Sequence, residues 1–85
     1  MGTFVSKLEI WFYYYLIDMT GDVAGVLKVN TYVTEEARYR RWALRQVTET
    51  EHDTMSAFGL PEYTHDGKNY PFFEDCHGQP IDIRA

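Results

Sequence analysis

The fold of this chain is decided by residues 4–33, FVSKLEIWFYYYLIDMTGDVAGVLKVNTYV. Residues 4–18 are rich in β-branched and aromatic side chains, which favours a strand. Residues 19–22 carry turn chemistry, and residues 23–33 alternate in the way a second strand does. A connection this short predicts an antiparallel hairpin. Within the second strand, Gly25 indicates a bulge or a close backbone approach.

The two faces of the first predicted strand differ in character. Alternation places its more aliphatic residues on a face that we expect to point into the core: Leu8, Ile10, Phe12, Tyr14 and Leu16. The opposite face carries Trp11, Tyr13 and Tyr15. The rings of these residues can be largely buried while their polar N–H or O–H group stays in contact with water. These three rings are candidate partner contacts, unless aromatic residues of the C-terminal segment cover them. An unpaired edge of this long strand would also favour a homodimer.

A helix is predicted from about residue 35 to about residue 50. Thr34 is a suitable cap, and two acidic residues follow it in the first turn. Helical spacing gathers the apolar residues on one broad side: Ala37, Tyr39, Trp42, Ala43, Leu44 and Val47. The same spacing aligns Arg38, Arg41 and Arg45 as one basic row on the other side.

Beyond residue 50 the pattern weakens. Gly59 and Pro61 interrupt regular structure, a short hairpin is possible over residues 63–73, and residues 80–84 alternate like an edge strand. The sequence therefore predicts one small α+β domain over residues 1–85. Its expected architecture is an antiparallel hairpin or small sheet packed against one amphipathic helix, followed by an irregular acidic segment with short edge strands.

Length and composition restrict the cellular setting. A chain of 85 residues with a single cysteine, Cys76, has no internal disulfide, and a lone thiol suits a reducing compartment. The longest apolar run, residues 10–17, is far shorter than the roughly 20 residues that span a bilayer. We therefore expect a cytoplasmic protein.

The acidic charge is concentrated at the C-terminal end. The chain has 13 acidic and 8 basic residues, a net charge of −5. Residues 1–50 hold six of each sign, whereas residues 51–85 hold seven acidic and two basic residues. Such a segment either attracts a basic partner or forms a solvated face. The candidate partner-binding residues here are Glu62, Tyr63, Asp66, Tyr70, Phe73, Glu74, Asp75 and Asp82.

Two other kinds of chemistry remain open. Arg38, Arg41 and Arg45 could clamp phosphates while the strand tyrosines stack bases, as in a small nucleic-acid-binding module, or they could simply pair with carboxylates. Metal-ligand residue types also occur late in the chain, at His52, His65, Asp66, Cys76 and His77. Their spacing matches no finger or two-histidine motif, so a metal-dependent small enzyme is only an alternative, and no cofactor is expected.

The size, acidity and aromatic content, together with the lack of a catalytic motif, resemble those of phage-encoded inhibitors, including anti-CRISPR proteins. The resemblance is one of type, and no contact residue is carried over from it. It implies a non-enzymatic protein that masks a basic, nucleic-acid-handling surface of a larger protein. Carboxylates would then occupy positions meant for phosphates.

Overall fold

A computed structural model describes residues 10–34, 36–67 and 73–83. Six strands and one helix form in these ranges, in the order β1 (Phe12–Ile17), β2 (Val23–Val29), β3 (Arg38–Tyr39), β4 (Trp42–Val47), α1 (Glu49–Ala57), β5 (Glu62–His65) and β6 (Phe73–Glu74). The predicted α+β class is confirmed, and so is the antiparallel hairpin, formed by β1 and β2. Residues 4–9, predicted to begin the first strand, lie outside the described residues.

The strands form one mixed sheet in the order β5-β2-β1-β4-β3-β6. β1 pairs with β2 on one side and with β4 on the other, so the free edge expected for the first strand does not exist. The edges are instead the short strands β5, which is parallel to β2, and β6, which is antiparallel to β3. This pairing places the β1–β2 and β3–β4 loops at the same end of the sheet.

The core lies on one face of the sheet, called here the inner face. Tyr14 and Leu16 of β1 point into it and are 1% and 0% exposed, as the alternation predicted, whereas Ile10, predicted on the same face, precedes the strand and is 63% exposed. Leu27 lies opposite Tyr14, and Leu44 opposite Leu16, because paired residues of neighbouring strands project to the same side. The buried cluster is completed by Val29, Val33, Ala37, Tyr39 and Phe73.

β2 ends at Val29, four residues earlier than predicted. Val33 has left the sheet, where its backbone N–H donates to the buried Tyr14 hydroxyl (2.8 Å) and its carbonyl accepts from that hydroxyl (3.0 Å). Earlier in the strand the register with β1 shifts between Leu16 and Ile17, which is the predicted bulge. A Cβ on Gly25 would lie 3.1 Å from a backbone oxygen, so the predicted close approach is also present.

The sheet curls around its inner face. β3 and β5 are four places apart in the strand order, which in a flat sheet would separate them by about 19 Å. Tyr39 of β3 nevertheless packs against Tyr63 and His65 of β5, with ring centroids 5.8 and 4.8 Å apart. Tyr39 also contacts Phe73 of β6 at 5.6 Å. The inner face therefore closes around the fully buried Tyr39 ring.

Helix α1 packs on the opposite, outer face. A capping box starts it, since Thr48 Oγ1 accepts from the Glu51 backbone N–H while the Glu51 carboxylate accepts from the Thr48 backbone N–H. His52 is the only buried residue of the helix, and its ring lies edge-on to Tyr13 at 5.0 Å. The Tyr15 hydroxyl donates to the Glu51 carbonyl (3.3 Å). A largely polar helix therefore covers the outer face above β1 and β2.

The predicted position of the helix, residues 35–50, is wrong. Residues 38–47 form the β3–β4 hairpin, and the helix begins at Glu49. The misleading signal has a physical cause, because this stretch is rich in helix-forming arginine, alanine and leucine. Pairing with β1 overrides that local preference. Tyr39 and Trp42, one helical turn apart in the prediction, instead stack across a two-residue loop at 6.3 Å and 12°.

Candidate functional site

The three arginines predicted as one row do lie together, although they lie on a sheet. Arg38 of β3 is paired with Ala43 of β4, and Arg45 follows Ala43 by two residues. Two residues of strand span about 7 Å and return the side chain to the same face, so Arg38 and Arg45 share the outer face. Arg41 lies in the loop that joins the two strands.

None of the three arginines forms a direct ion pair with a carboxylate among residues 10–34, 36–67 and 73–83. The alternative interpretation, in which Arg38, Arg41 and Arg45 pair with carboxylates, is therefore not met by direct contact in this part of the chain. Acids nevertheless lie nearby, because Glu74 of β6 is the strand partner of Arg38 and the charge of Arg45 acts on Glu51. The outer face of β3 and β4 carries cations with acidic residues at its borders.

A cleft of about 540 Å³ opens at the end of the sheet where the two hairpin loops meet. One wall comes from the β1–β2 loop and the other from the β3–β4 loop: Asp18, Met19 and Thr20 on the first, Arg40, Arg41 and Trp42 on the second. We call it the arginine cleft. An adjoining side cleft of about 420 Å³ shares Asp18, Met19 and Arg41 with it and adds Arg38.

The β1–β2 wall of the arginine cleft is held by hydrogen bonds to one carboxylate. Asp18 Oδ1 accepts from the Thr20 backbone N–H (2.9 Å), the Thr20 hydroxyl (2.6 Å) and the Asp22 backbone N–H (3.0 Å). The Thr20 hydroxyl contributes most to holding the pKa of Asp18 below its usual range, followed by the Asp22 amide. Asp18 therefore remains an anion at the rim of the cleft.

The β3–β4 wall contains Arg40, which has a φ of 60°. Its guanidinium lies 5.1 Å from the Tyr39 ring centroid and 5.8 Å from that of Tyr63. Stacking on two rings fixes the orientation of the guanidinium while the side chain stays exposed. Burial, and then the charge of Arg40, lower the pKa of His65, whose Nε2 lies 2.9 Å from the Tyr39 hydroxyl.

The predicted partner-binding residues of the C-terminal segment are scattered. Glu62, Asp66 and Asp82 are exposed, and the Glu62 carboxylate accepts from the Ser56 hydroxyl (2.8 Å). Glu74 lies on edge strand β6, partly buried.

Other predicted partner-binding residues of that segment need correction. Phe73 is 1% exposed in the core, so it is not a contact residue. Asp75 accepts from the backbone N–H groups of His77 and Gln79, and the Gln79 amide does most to lower its pKa. Tyr63 is partly buried against Tyr39 and Trp42. Tyr70 lies outside the described residues.

The strand rings predicted as an open contact face are partly buried. Helix α1 covers Tyr13 and Tyr15, as described above. Trp11 lies beneath Lys28, whose Nζ is 4.6 Å from the ring centroid. The protein's own helix and a lysine therefore occupy the face for which a partner or the aromatic residues of the C-terminal segment had been expected.

Two sets of candidate residues were missed by the sequence analysis. The exposed carboxylates Glu49, Glu51 and Asp53 lie on α1, whose start is signalled by the Thr48-x-x-Glu51 capping box. Arg40 was not among the predicted candidates, because the helical spacing assumed for residues 35–50 directs it away from the row of Arg38, Arg41 and Arg45. No local signal would have identified it, since its position depends on the hairpin.

The late histidines and the cysteine do not converge. In the described part of the chain, no three His, Cys, Asp or Glu side chains lie close enough together to hold a metal ion. His52 is buried beneath the helix, and Cys76 and His77 are exposed in a turn.

No family model matches the chain, and neither a curated protein nor a solved structure shows significant similarity to it. Among the described residues, the single helix is too short and too polar to cross a membrane.

Proposed function

We propose that this protein is a small non-enzymatic binding protein that masks a basic, nucleic-acid-handling surface of a larger protein. The contact region is an acidic surface made of Glu49, Glu51 and Asp53 on α1 and Glu62 on β5. One observation carries the proposal: all four are exposed, and none pairs with a lysine or arginine among the described residues.

The acidic surface draws its residues from two elements. The Ser56 hydroxyl of α1 donates to Glu62, which ties the start of β5 to the helix. The capping hydrogen bonds from Thr48, backbone first, hold the pKa of Glu51 low, with a smaller contribution from the charge of Arg45. Glu51 therefore stays ionised in neutral solution, and the field of an acidic surface steers it towards cationic partners.

The acidic surface replaces part of the surface expected from sequence. Glu62 belongs to both, whereas Asp75 is committed to its own turn and Phe73 to the core. Asp66 and Asp82 are exposed but lie outside this surface. The mode of action that we propose is charge mimicry combined with steric cover, as in the phage-encoded inhibitors that the chain resembles in type.

The test uses competition with DNA. A bacterial lysate is loaded on DNA–cellulose at physiological salt, and the wild-type protein is added to the column. We expect it to release at least one DNA-binding protein and to co-elute with it. The triple variant Glu49→Lys, Asp53→Lys, Glu62→Lys should release at least tenfold less, because the charge that attracts the basic surface is reversed.

The matched control is Glu36→Lys, which reverses an exposed carboxylate outside the acidic surface. It should release the same protein as the wild type does. Release of nothing by the wild type, or equal release by the triple variant, would contradict the proposal.

A further inference from the structure

The arginine cleft is lined by two arginines and a tryptophan that play no part in the proposed function. We infer that it binds a nucleotide unit, with the phosphate between Arg40 and Arg41 and the base against Trp42. The inference is independent of the proposed function, since it concerns the opposite charge and a different part of the molecule.

The charge of the cleft suits a phosphate. Arg40 and Arg41 line it, Arg38 lines the adjoining side cleft, and none of them is ion-paired to a described carboxylate. Guanidinium groups bind phosphate oxygens through paired N–H donors, which gives both affinity and direction. The stacked Arg40 guanidinium is already oriented, so it loses little freedom when it binds.

Arg40 has a backbone conformation that is unfavourable for a residue with a side chain. It is the first residue of the two-residue loop between Tyr39 and Trp42, and its φ of 60° is one that glycine adopts with less strain. Arg40 is the only non-glycine residue with a positive φ in the described ranges. Strain of this kind collects at functional positions, where the side chain has a role that glycine lacks.

The apolar wall suits a base. Trp42 is partly buried and lines the cleft, and Met19 stands opposite with 94% of its surface exposed. Trp42 already stacks on Tyr39, and every base presents a flat π face to the part of the ring that lines the cleft, a contact that an acidic peptide does not make. The volume of about 540 Å³ is in the range of small-ligand sites.

Part of the acidic charge lies far from the cleft. Glu49 starts α1 beyond the six-residue strand β4, so about 20 Å of strand separates it from the cleft, more than the screening length of about 8 Å at physiological salt. Glu62 is nearer, because it pairs with Val26, two residues from the cleft-lining Ala24. Asp18 is the one carboxylate in the lining, and three hydrogen bonds to its Oδ1 already engage it.

Arg38 and Arg45 extend the line of cations beyond the cleft, and we call this line the basic path. The side cleft leads from Arg41 to Arg38, and Arg45 lies beyond it on the same face. A nucleotide unit in the cleft can therefore come from a free mononucleotide or from a short single strand that follows this path. The two sources share the same chemistry and are separated by the experiment.

The experiment is a calorimetric titration at 0.15 M salt with four probes: thymidine monophosphate, hexathymidylate, inorganic phosphate and a hexaglutamate peptide. We expect at least one of the two nucleotide probes to bind, and the double variant Arg40→Gly, Arg41→Ala to weaken it at least tenfold. With hexathymidylate, the slope of log Kd against log salt should fall by roughly 0.7 for each phosphate that the variant no longer neutralises. The matched control is Lys28→Ala, which removes a cation outside the cleft and should leave binding unchanged.

Each outcome of the titration leads to a different conclusion about the cleft. Hexathymidylate binding at least tenfold tighter than the monophosphate assigns the cleft to single strands, and equal binding assigns it to free nucleotides. Inorganic phosphate binding as well as the monophosphate would overturn the role of Trp42. Preference for hexaglutamate, absence of binding at millimolar nucleotide, or an unaffected double variant would overturn the inference. None of these results depends on the acidic surface, which the DNA–cellulose assay tests separately.

Discussion

The β1–β2 loop and the β3–β4 loop reverse the chain at the same end of the sheet, but with different kinds of residues. In the first, Asp18 accepts three hydrogen bonds, and Gly21 takes the positive φ of 88° with no atom near where its Cβ would be. In the second, a positive φ falls on Arg40, and Arg41 follows it.

The difference shows what stabilises each loop. The β1–β2 loop contains residues that favour a turn by themselves. The β3–β4 loop does not, and it forms because Tyr39 before it and Trp42 after it are drawn into the core. Local chemistry shapes one wall of the arginine cleft, and tertiary packing imposes the other. The wall that tertiary packing imposes is the β3–β4 loop, which carries Arg40 and Arg41.

The largest expected effect tests whether the core holds the β3–β4 loop. Tyr39→Ala removes a fully buried ring that contacts β4, β5 and β6, so it should lower the free energy of unfolding by about 3–5 kcal/mol. Urea denaturation followed by circular dichroism measures it. Tyr32→Ala, at a tyrosine that is 52% exposed, is the control and should cost far less. A loss at Tyr39 no greater than that at Tyr32 would break the comparison.

The next effect concerns strain in the two loops. Arg40→Gly should be more stable than Arg40→Ala by about 1 kcal/mol, because glycine relieves the positive φ. Gly21→Ala should be destabilising by a similar amount for the same reason. At Arg41, whose φ is not positive, the order should reverse, with alanine the more stable variant. Equal stabilities of the two Arg40 variants would show that this loop is not strained.

The smallest effect sharpens the description of the β1–β2 loop through pH. The pKa of Asp18 in the folded protein lies below its usual 3.8, so the unfolded chain binds more protons between the two values. Its contribution to stability is therefore complete above about pH 3.8 and is lost as the pH falls through the folded pKa. Urea midpoints of wild type and Asp18→Asn, measured from pH 6 to pH 2, should converge at the acidic end. A constant difference would mean that the charge of Asp18 does not matter to the loop.

The parts of the fold that were predicted well depend on local pattern. Strict alternation placed Tyr14 and Leu16 in the core, and the Gly-Asp turn predicted the β1–β2 hairpin. The helix was misplaced because residues 38–47 have helical preferences, whereas their partners on β1 are distant in sequence. The capping box at Thr48 was the local signal that marked the true start.

The candidate sites were predicted only in part, for the same reason. Arg38, Arg41 and Arg45 were correctly grouped, but by helical spacing, and the actual grouping comes from strand pairing. Glu62 was identified, whereas the helix carboxylates and Arg40 were not. A site made where separate elements meet has no single stretch of sequence that encodes it.

The sequence by itself determined the acidic excess of this protein and the presence of both acidic and basic groups of residues. It also determined the β1–β2 hairpin at the centre of the sheet. The tertiary structure alone decided which charges share a surface. It placed α1 over Tyr13 and Tyr15, brought the two hairpin loops together around Arg41, and curled β3 onto β5 around Tyr39. The reason is that a short strand acquires its conformation from the strands beside it, and those strands are supplied by remote parts of the chain.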